Sequence, residues 1–117
     1  MLPTCRDGQL AVVNRLAYLF EPPQRGDVIC IWTGQEYLIK RIIGLPGEEV
    51  AMREGVFYIN GQPLREPYVQ AGCDWTVGAG KLNGRNYAVA GDNRLVPRHQ
   101  AVLAVARRDR IVGKLML

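Results

Sequence analysis

Apolar residues in this chain fall in short runs, set apart by glycine, proline and Asn-Gly pairs. Runs of four to eight residues bounded by turn formers predict strands rather than helices. Gln9 to Val13 is the first such run, after an Asp7-Gly8 turn. Val28 to Thr33 follows. Its unbroken Val-Ile-Cys-Ile-Trp is the pattern of a strand covered on both faces. Gly34-Gln35 then leads by a short hairpin into Glu36 to Ile43, which ends in the turn formers Gly44, Pro46 and Gly47. Glu48 to Met52 and Val56 to Ile59 flank Arg53-Glu54-Gly55, and Asn60-Gly61 is a strong hairpin signal. Asn86 to Ala90, Val102 to Ala106 and Ile111 to Leu115 complete the set. No long amphipathic helix is present, although residues 98–106 have room for one helical turn. The pattern predicts one all-β, barrel-like domain over residues 1–117. Residues 62–86, with two prolines and four glycines, lose the alternation and read as an irregular excursion from it.

Two stretches do not fit a plain sheet. In the loop Asn14 to Gln24, Leu16, Tyr18, Leu19 and Phe20 precede Glu21-Pro22-Pro23, and the prolines forbid a continuing central strand. Such an apolar loop either packs onto the core or dips into an apolar medium. The other is Lys40, which alternation puts on one strand face with Leu38 and Ile42, while Arg41 shares the opposite face with Ile39 and Ile43. A lysine between branched apolar neighbours either snorkels its ammonium to water or loses hydration. In the second case its pKa falls, and the neutral amine can serve as a general base.

Composition narrows the picture only a little. The net charge of +4 favours anionic surfaces in general without specifying one, and the basic residues are scattered apart from Arg107-Arg108-Asp109-Arg110. Three cysteines (Cys5, Cys30 and Cys73) are an odd number with no Cys-x-x-Cys pair, so neither a zinc site nor a disulfide framework is expected. No apolar run reaches the ~18 residues that span a bilayer.

The stretch Tyr37-Leu38-Ile39-Lys40-Arg41-Ile42-Ile43-Gly44-Leu45-Pro46-Gly47-Glu48 resembles the lysine box of type I signal peptidases, the membrane-bound serine proteases of family S26. Further stretches match in the family's order. Met1-Leu2-Pro3-Thr4 resembles the tail of the serine box, and Arg25-Gly26-Asp27-Val28-Ile29 resembles the turn into the next strand. Gly91-Asp92-Asn93-Arg94 resembles the start of the last box, and Val112-Gly113-Lys114 the closing strand. Several short motifs in order are far more specific than any one of them.

The resemblance implies a signal-peptidase-like β-barrel and a serine–lysine dyad that removes signal peptides from exported preproteins. Lys40 would be the general base. Met1, Leu2, Tyr37, Leu38 and Ile39 would line the substrate, which pairs as an added strand. Arg41, Asp92, Asn93 and Arg94 would support the site, with an Arg41–Asp92 ion pair bracing the lysine strand. Leu16, Tyr18, Leu19 and Phe20 would meet the membrane, with Arg15 and Arg25 near anionic head groups. The implied partners are signal peptides and the membrane surface, with no nucleic acid, no metal and no cofactor. Lysine rather than histidine as the base is similar to the bacterial and organellar type. The implied location is the cytoplasmic or organellar inner membrane, with the domain on its outer face.

Two departures matter. The family's nucleophilic serine stands immediately before the methionine that is here Met1, and no serine occurs in the 117 residues. These residues as written are therefore expected to be inactive, with the serine and an anchor expected upstream. In the last box, Pro97 occupies the place of a serine that would orient the lysine, and His99 falls near the acidic position. A maturation protease with narrow specificity and a catalytically dead S26 fold that binds peptides or membranes are the alternatives. A self-cleaving repressor fits poorly, since no helix-turn-helix pattern is present.

Overall fold

The structure, a computed structural model, describes residues 12–69, 76–92 and 104–116. Among these residues ten strands form: β1 (Val12–Asn14), β2 (Val28–Trp32), β3 (Tyr37–Gly44), β4 (Glu49–Arg53), β5 (Val56–Ile59), β6 (Gln62–Pro63), β7 (Val77–Lys81), β8 (Asn86–Ala90), β9 (Ala104–Arg107) and β10 (Ile111–Met116). Six make one antiparallel sheet in the order β1-β10-β2-β3-β8-β9, and four make a smaller one in the order β6-β5-β4-β7. The all-β expectation holds. The closed barrel does not: among the described residues both sheets are open, ending at β1 and β9 in one and at β6 and β7 in the other.

Turn chemistry sets the small sheet. Asn60 and Gly61 both take positive φ (52° and 82°), as do Glu54 and Gly55 (50° and 82°). Paired left-handed residues form the hairpin turn that matches the right-handed twist of the strands. The Asn60 carboxamide also accepts the Glu49 N–H at 2.8 Å. Phe57, Met52, Val50 and Ile59 then point into one core cluster with Ile43, Leu82, Ala88 and Ala90 of the large sheet and its connections. A second cluster lies on the other face of the large sheet, around Ile29, Ile31, Ile42, Tyr87, Val89, Ala106 and Ile111. Strand β2 is thus covered on both faces, as its unbroken apolar run requires.

The excursion predicted over residues 62–86 is partly regular. Gln62–Pro63 continues the β5 hairpin, and Val77–Lys81 returns to pair with β4. The returning strand escapes pattern reading because only Val77 is partly buried; Gly78, Ala79, Gly80 and Lys81 are exposed. Residues 9–11 and 102–103 of the predicted strands, and most of the 98–106 turn, lie outside the described residues. Residues 104–106 are strand.

Two glycines are fixed by close approach. A Cβ on Gly44 would lie 2.6 Å from the Val50 side chain, inside the core. A Cβ on Gly113 would lie 2.5 Å from the Asn14 carbonyl oxygen, so only glycine lets β1 pair with β10.

Candidate active site

Strand β3 is paired differently along its length. From Tyr37 to Arg41 it pairs with β2, with Lys40 opposite Ile29 and Leu38 opposite Ile31. On its other side, β8 joins only from Arg41 onward, through Arg41–Ala90 and Ile42–Val89, before a register shift to Gly44–Ala88. Among the described residues no strand takes that side of Tyr37 to Ile39. Among the described residues an open β3 edge therefore runs up to Lys40, where β8 has ended and Gly91-Asp92 turns away. Open edges of this kind accept extended chains by backbone pairing.

Lys40 stands at the inner end of that edge, on the face of Ile29 and Ile42. Gly91 comes so close that a Cβ there would be 3.7 Å from the Lys40 Nζ. Burial lowers the Lys40 pKa from the ordinary lysine value, because the ammonium has lost hydration.

The neighbouring Arg41 locks the end of β8 to β3. Its Nε donates to Asp92 Oδ1 at 2.9 Å and its Nη2 to Oδ2 at 2.7 Å. Its Nη1 donates to the Gly26 carbonyl at 2.8 Å. The Asp92 side chain is 0% exposed and that of Arg41 13%. A bidentate pair of this kind fixes orientation as well as charge. Burial works against the Arg41 cation, but the hydrogen bonds and charge of Asp92, with Tyr68 and Glu66 adding, outweigh it and raise its pKa. The Tyr68 ring lies over the guanidinium, 3.8 Å from its centroid.

The Arg25-Gly26-Asp27 turn is bolted to the same strand. Gly26 N–H donates to the Ile42 carbonyl at 2.8 Å, and Ile42 N–H donates to the Asp27 carbonyl at 2.9 Å. Arg25 forms a bidentate pair with Glu48 at 2.6 and 2.9 Å, and Glu48 also accepts the Leu45 N–H at 2.7 Å. The hydrogen bond from Arg25 is the main reason the Glu48 carboxyl is held below the usual carboxylate range. The turn after the lysine strand is thereby closed. Asp27 in turn holds Lys114 of β10 at 3.5 Å and accepts the Tyr18 hydroxyl at 2.7 Å.

The structure therefore brings together Lys40, Arg41 and Asp92, and places Leu38 and Ile39 partly buried on the open-edged half of β3. Tyr37 is exposed and stacks at a tilt on Trp32, with centroids 4.7 Å apart. Met1, Leu2, Asn93, Arg94, Pro97 and His99 lie outside the described residues. Among the described residues, no group of three metal-ligating side chains converges. The apolar loop divides. Leu16, Leu19 (64% exposed) and Phe20 (94% exposed) face outward. Tyr18 does not join them. Its ring packs on the large-sheet core, and burial, then the hydrogen bond and charge of Asp27, push its pKa up. Arg25 is paired with Glu48, with its side chain 33% exposed. Pattern reading missed Tyr68, which sits in a polar, proline-flanked loop with no periodicity to mark it.

The sequence matches the family described as signal peptidase, peptidase S26, over residues 1–115, and the chain belongs to that family. It is 36% identical to the signal peptidase I of Leptolyngbya laminosa over 97% of its own length and 61% of that protein. It is also 36% identical to the signal peptidase I T of Bacillus subtilis, over 97% of its length and 65% of that protein. The chain thus spans a little under two-thirds of these relatives. The crystal structure of a signal peptidase I from Enterococcus faecalis V583 superposes with a TM-score of 0.65 at 28% identity, covering 82% of this chain and 98% of that one.

Removing one partner of a buried ion pair strands the other charge, which costs about 3–5 kcal/mol. Asp92→Ala is expected to lose that much stability in urea unfolding. Arg41→Met with Asp92→Leu is expected to regain most of it. A loss under about 1 kcal/mol for Asp92→Ala would mean that water reaches the pair and that it does not fix the end of β8.

Proposed function

We propose that this chain carries the base and the substrate edge of a serine endopeptidase that removes signal peptides from exported preproteins. The observation that carries the reading is the partly dehydrated Lys40 amine at the end of a β3 edge that no strand among the described residues covers. An extended peptide paired along Tyr37, Leu38 and Ile39 would run toward that amine. The nucleophile is the serine expected immediately before Met1. Its Oγ attacks the scissile carbonyl while Lys40 takes the hydroxyl proton, giving a tetrahedral intermediate and a lysine ammonium. Collapse breaks the C–N bond, and the ammonium returns the proton to the leaving amine. Water, deprotonated by Lys40, then releases the acyl group and restores the serine. Backbone donors, the serine's own N–H among them, would hold the oxyanion.

A dead S26 fold, in which no serine stands before Met1, is the second reading. One experiment separates the two. The chain extended upstream through the proposed serine, given a peptide with an Ala-x-Ala site, is expected to cleave it, and the 117 residues alone are not. Lys40→Ala is expected to lower kcat by roughly 10²–10⁴-fold. Lys40→Arg should fail as well, because guanidinium stays protonated. Only the neutral amine accepts the proton, so the rate should rise with pH through the Lys40 pKa. That limb should lie below the ordinary lysine value, because burial has lowered it. Full activity in Lys40→Ala would remove the dyad from the account.

The outward-facing Leu19 and Phe20 support a resting contact of this domain with the outer face of the cytoplasmic membrane. Burying both in lipid would contribute roughly 3–6 kcal/mol before ordering costs, with Arg15 and Arg108, whose guanidinium donates to the Tyr18 carbonyl at 3.3 Å, as nearby cations. Because both are exposed, Leu19→Ser with Phe20→Ser is expected to weaken binding to anionic vesicles while leaving the melting temperature unchanged. Equal co-sedimentation of the variant and the parent would exclude this loop as the contact.

A further inference from the structure

We infer that Tyr68 is a positioning residue for the reaction, one that ties the small sheet to the general-base lysine through the Arg41–Asp92 pair. The inference rests on the reading of Lys40 as the base, and it concerns a residue outside the lysine strand and the last box.

The anchoring of Tyr68 begins in the small sheet. After β6, the Leu64 N–H donates to the Phe57 carbonyl at 2.8 Å, and Phe57 is fully buried. Pro67 restricts the next turn, which closes with the Val69 N–H on the Glu66 carbonyl at 3.2 Å. Within that turn the Tyr68 hydroxyl donates to Glu66 Oε2 at 2.7 Å. A tyrosine inside a closed turn and held at its hydroxyl has little freedom to leave its partner.

That partner is the guanidinium of Arg41. Asp92 and the Gly26 carbonyl occupy the edge of the planar cation, and the Tyr68 ring covers a face, 3.8 Å away. Edge and face contacts are complementary, and a ring on the face keeps water from the buried carboxylate. Glu66 adds a second negative charge on that side. The pair then fixes Gly91-Asp92, and Gly91 is the wall beside the Lys40 amine. By this route Tyr68 acts on the amine indirectly. Its effect reaches Lys40 by holding the wall that keeps water away.

Without the ring, water gains access to the guanidinium face and the Gly91-Asp92 bend loosens. The Lys40 ammonium is then better hydrated, and less of the amine is neutral at a given pH. Strand β3 stays paired with β2, so substrate pairing is unaffected.

The test uses the chain extended through the proposed serine. Tyr68→Leu is expected to lower kcat at neutral pH about tenfold with KM unchanged, and to move the rising limb of the pH–rate profile toward higher pH. Tyr68→Phe keeps the ring and is expected to restore most of both. A purely structural role for Tyr68 would lower the melting temperature and leave the limb of the folded fraction where it was. Lys40→Ala is run alongside. If Lys40→Ala is inactive and Tyr68→Leu keeps the parent profile, the inference about Tyr68 fails and the base assignment stands. If Lys40→Ala is active, the base assignment itself has failed.

Discussion

The Arg41–Asp92 ion pair is the interaction on which the site depends. It joins residues 51 positions apart and is sealed from water on the Asp92 side. Three separate parts of the chain converge on it: the Gly26 carbonyl from the turn before β2, Asp92 from the end of β8, and the Tyr68 ring from beyond the small sheet. A buried pair is weak evidence for net stability, since desolvation consumes much of its Coulomb energy. Its value here is orientation. A bidentate guanidinium accepts a carboxylate in one plane, so the end of β8 can stop in only one place relative to β3.

Stopping β8 there has two consequences for function. Among the described residues it leaves the first half of β3 with an open side, and it brings Gly91 beside the Lys40 amine. The same geometry thus creates the edge and dries the lysine at its end. Drying carries a cost to folding. A lysine whose pKa is lowered in the folded state opposes folding while it is protonated, and the penalty fades as pH rises toward the unfolded value. The fold tolerates this because Arg25–Glu48, the Gly26–Ile42 hydrogen bonds and the two core clusters hold β3 in place from both faces.

The sequence disclosed the strands whose burial alternates or is complete, and the turns whose residues need positive φ. Lys40 stood out because a charge interrupts an apolar alternation, and Asp92 because it belongs to a recognisable box. What stayed hidden was whatever depends on long-range geometry. Strand β7 has too few buried side chains to leave a pattern. The register shift between Ile42 and Gly44 leaves no mark in composition, nor does the failure of the two sheets to close into a barrel. Tyr18 and Phe20 are both aromatic and two residues apart, yet one turns to Asp27 and the other to solvent. Nothing local distinguishes them. Tyr68 was invisible for the same reason: its meaning lies in Arg41, 27 positions earlier in the chain.

The central claim is that the fold keeps the Lys40 amine short of water so that it can act as a base. The chain has only three lysines, Lys40, Lys81 and Lys114, so their side-chain amines can be followed individually by NMR. The direct test is a pH titration of the Lys40 Nζ in the folded chain, assigned with Lys40→Arg and referenced to the same residue in denaturant. A midpoint below the denatured reference is the result predicted here. A midpoint at or above that reference would contradict the account, because Lys40 would then be an ordinary hydrated cation at the edge of a sheet.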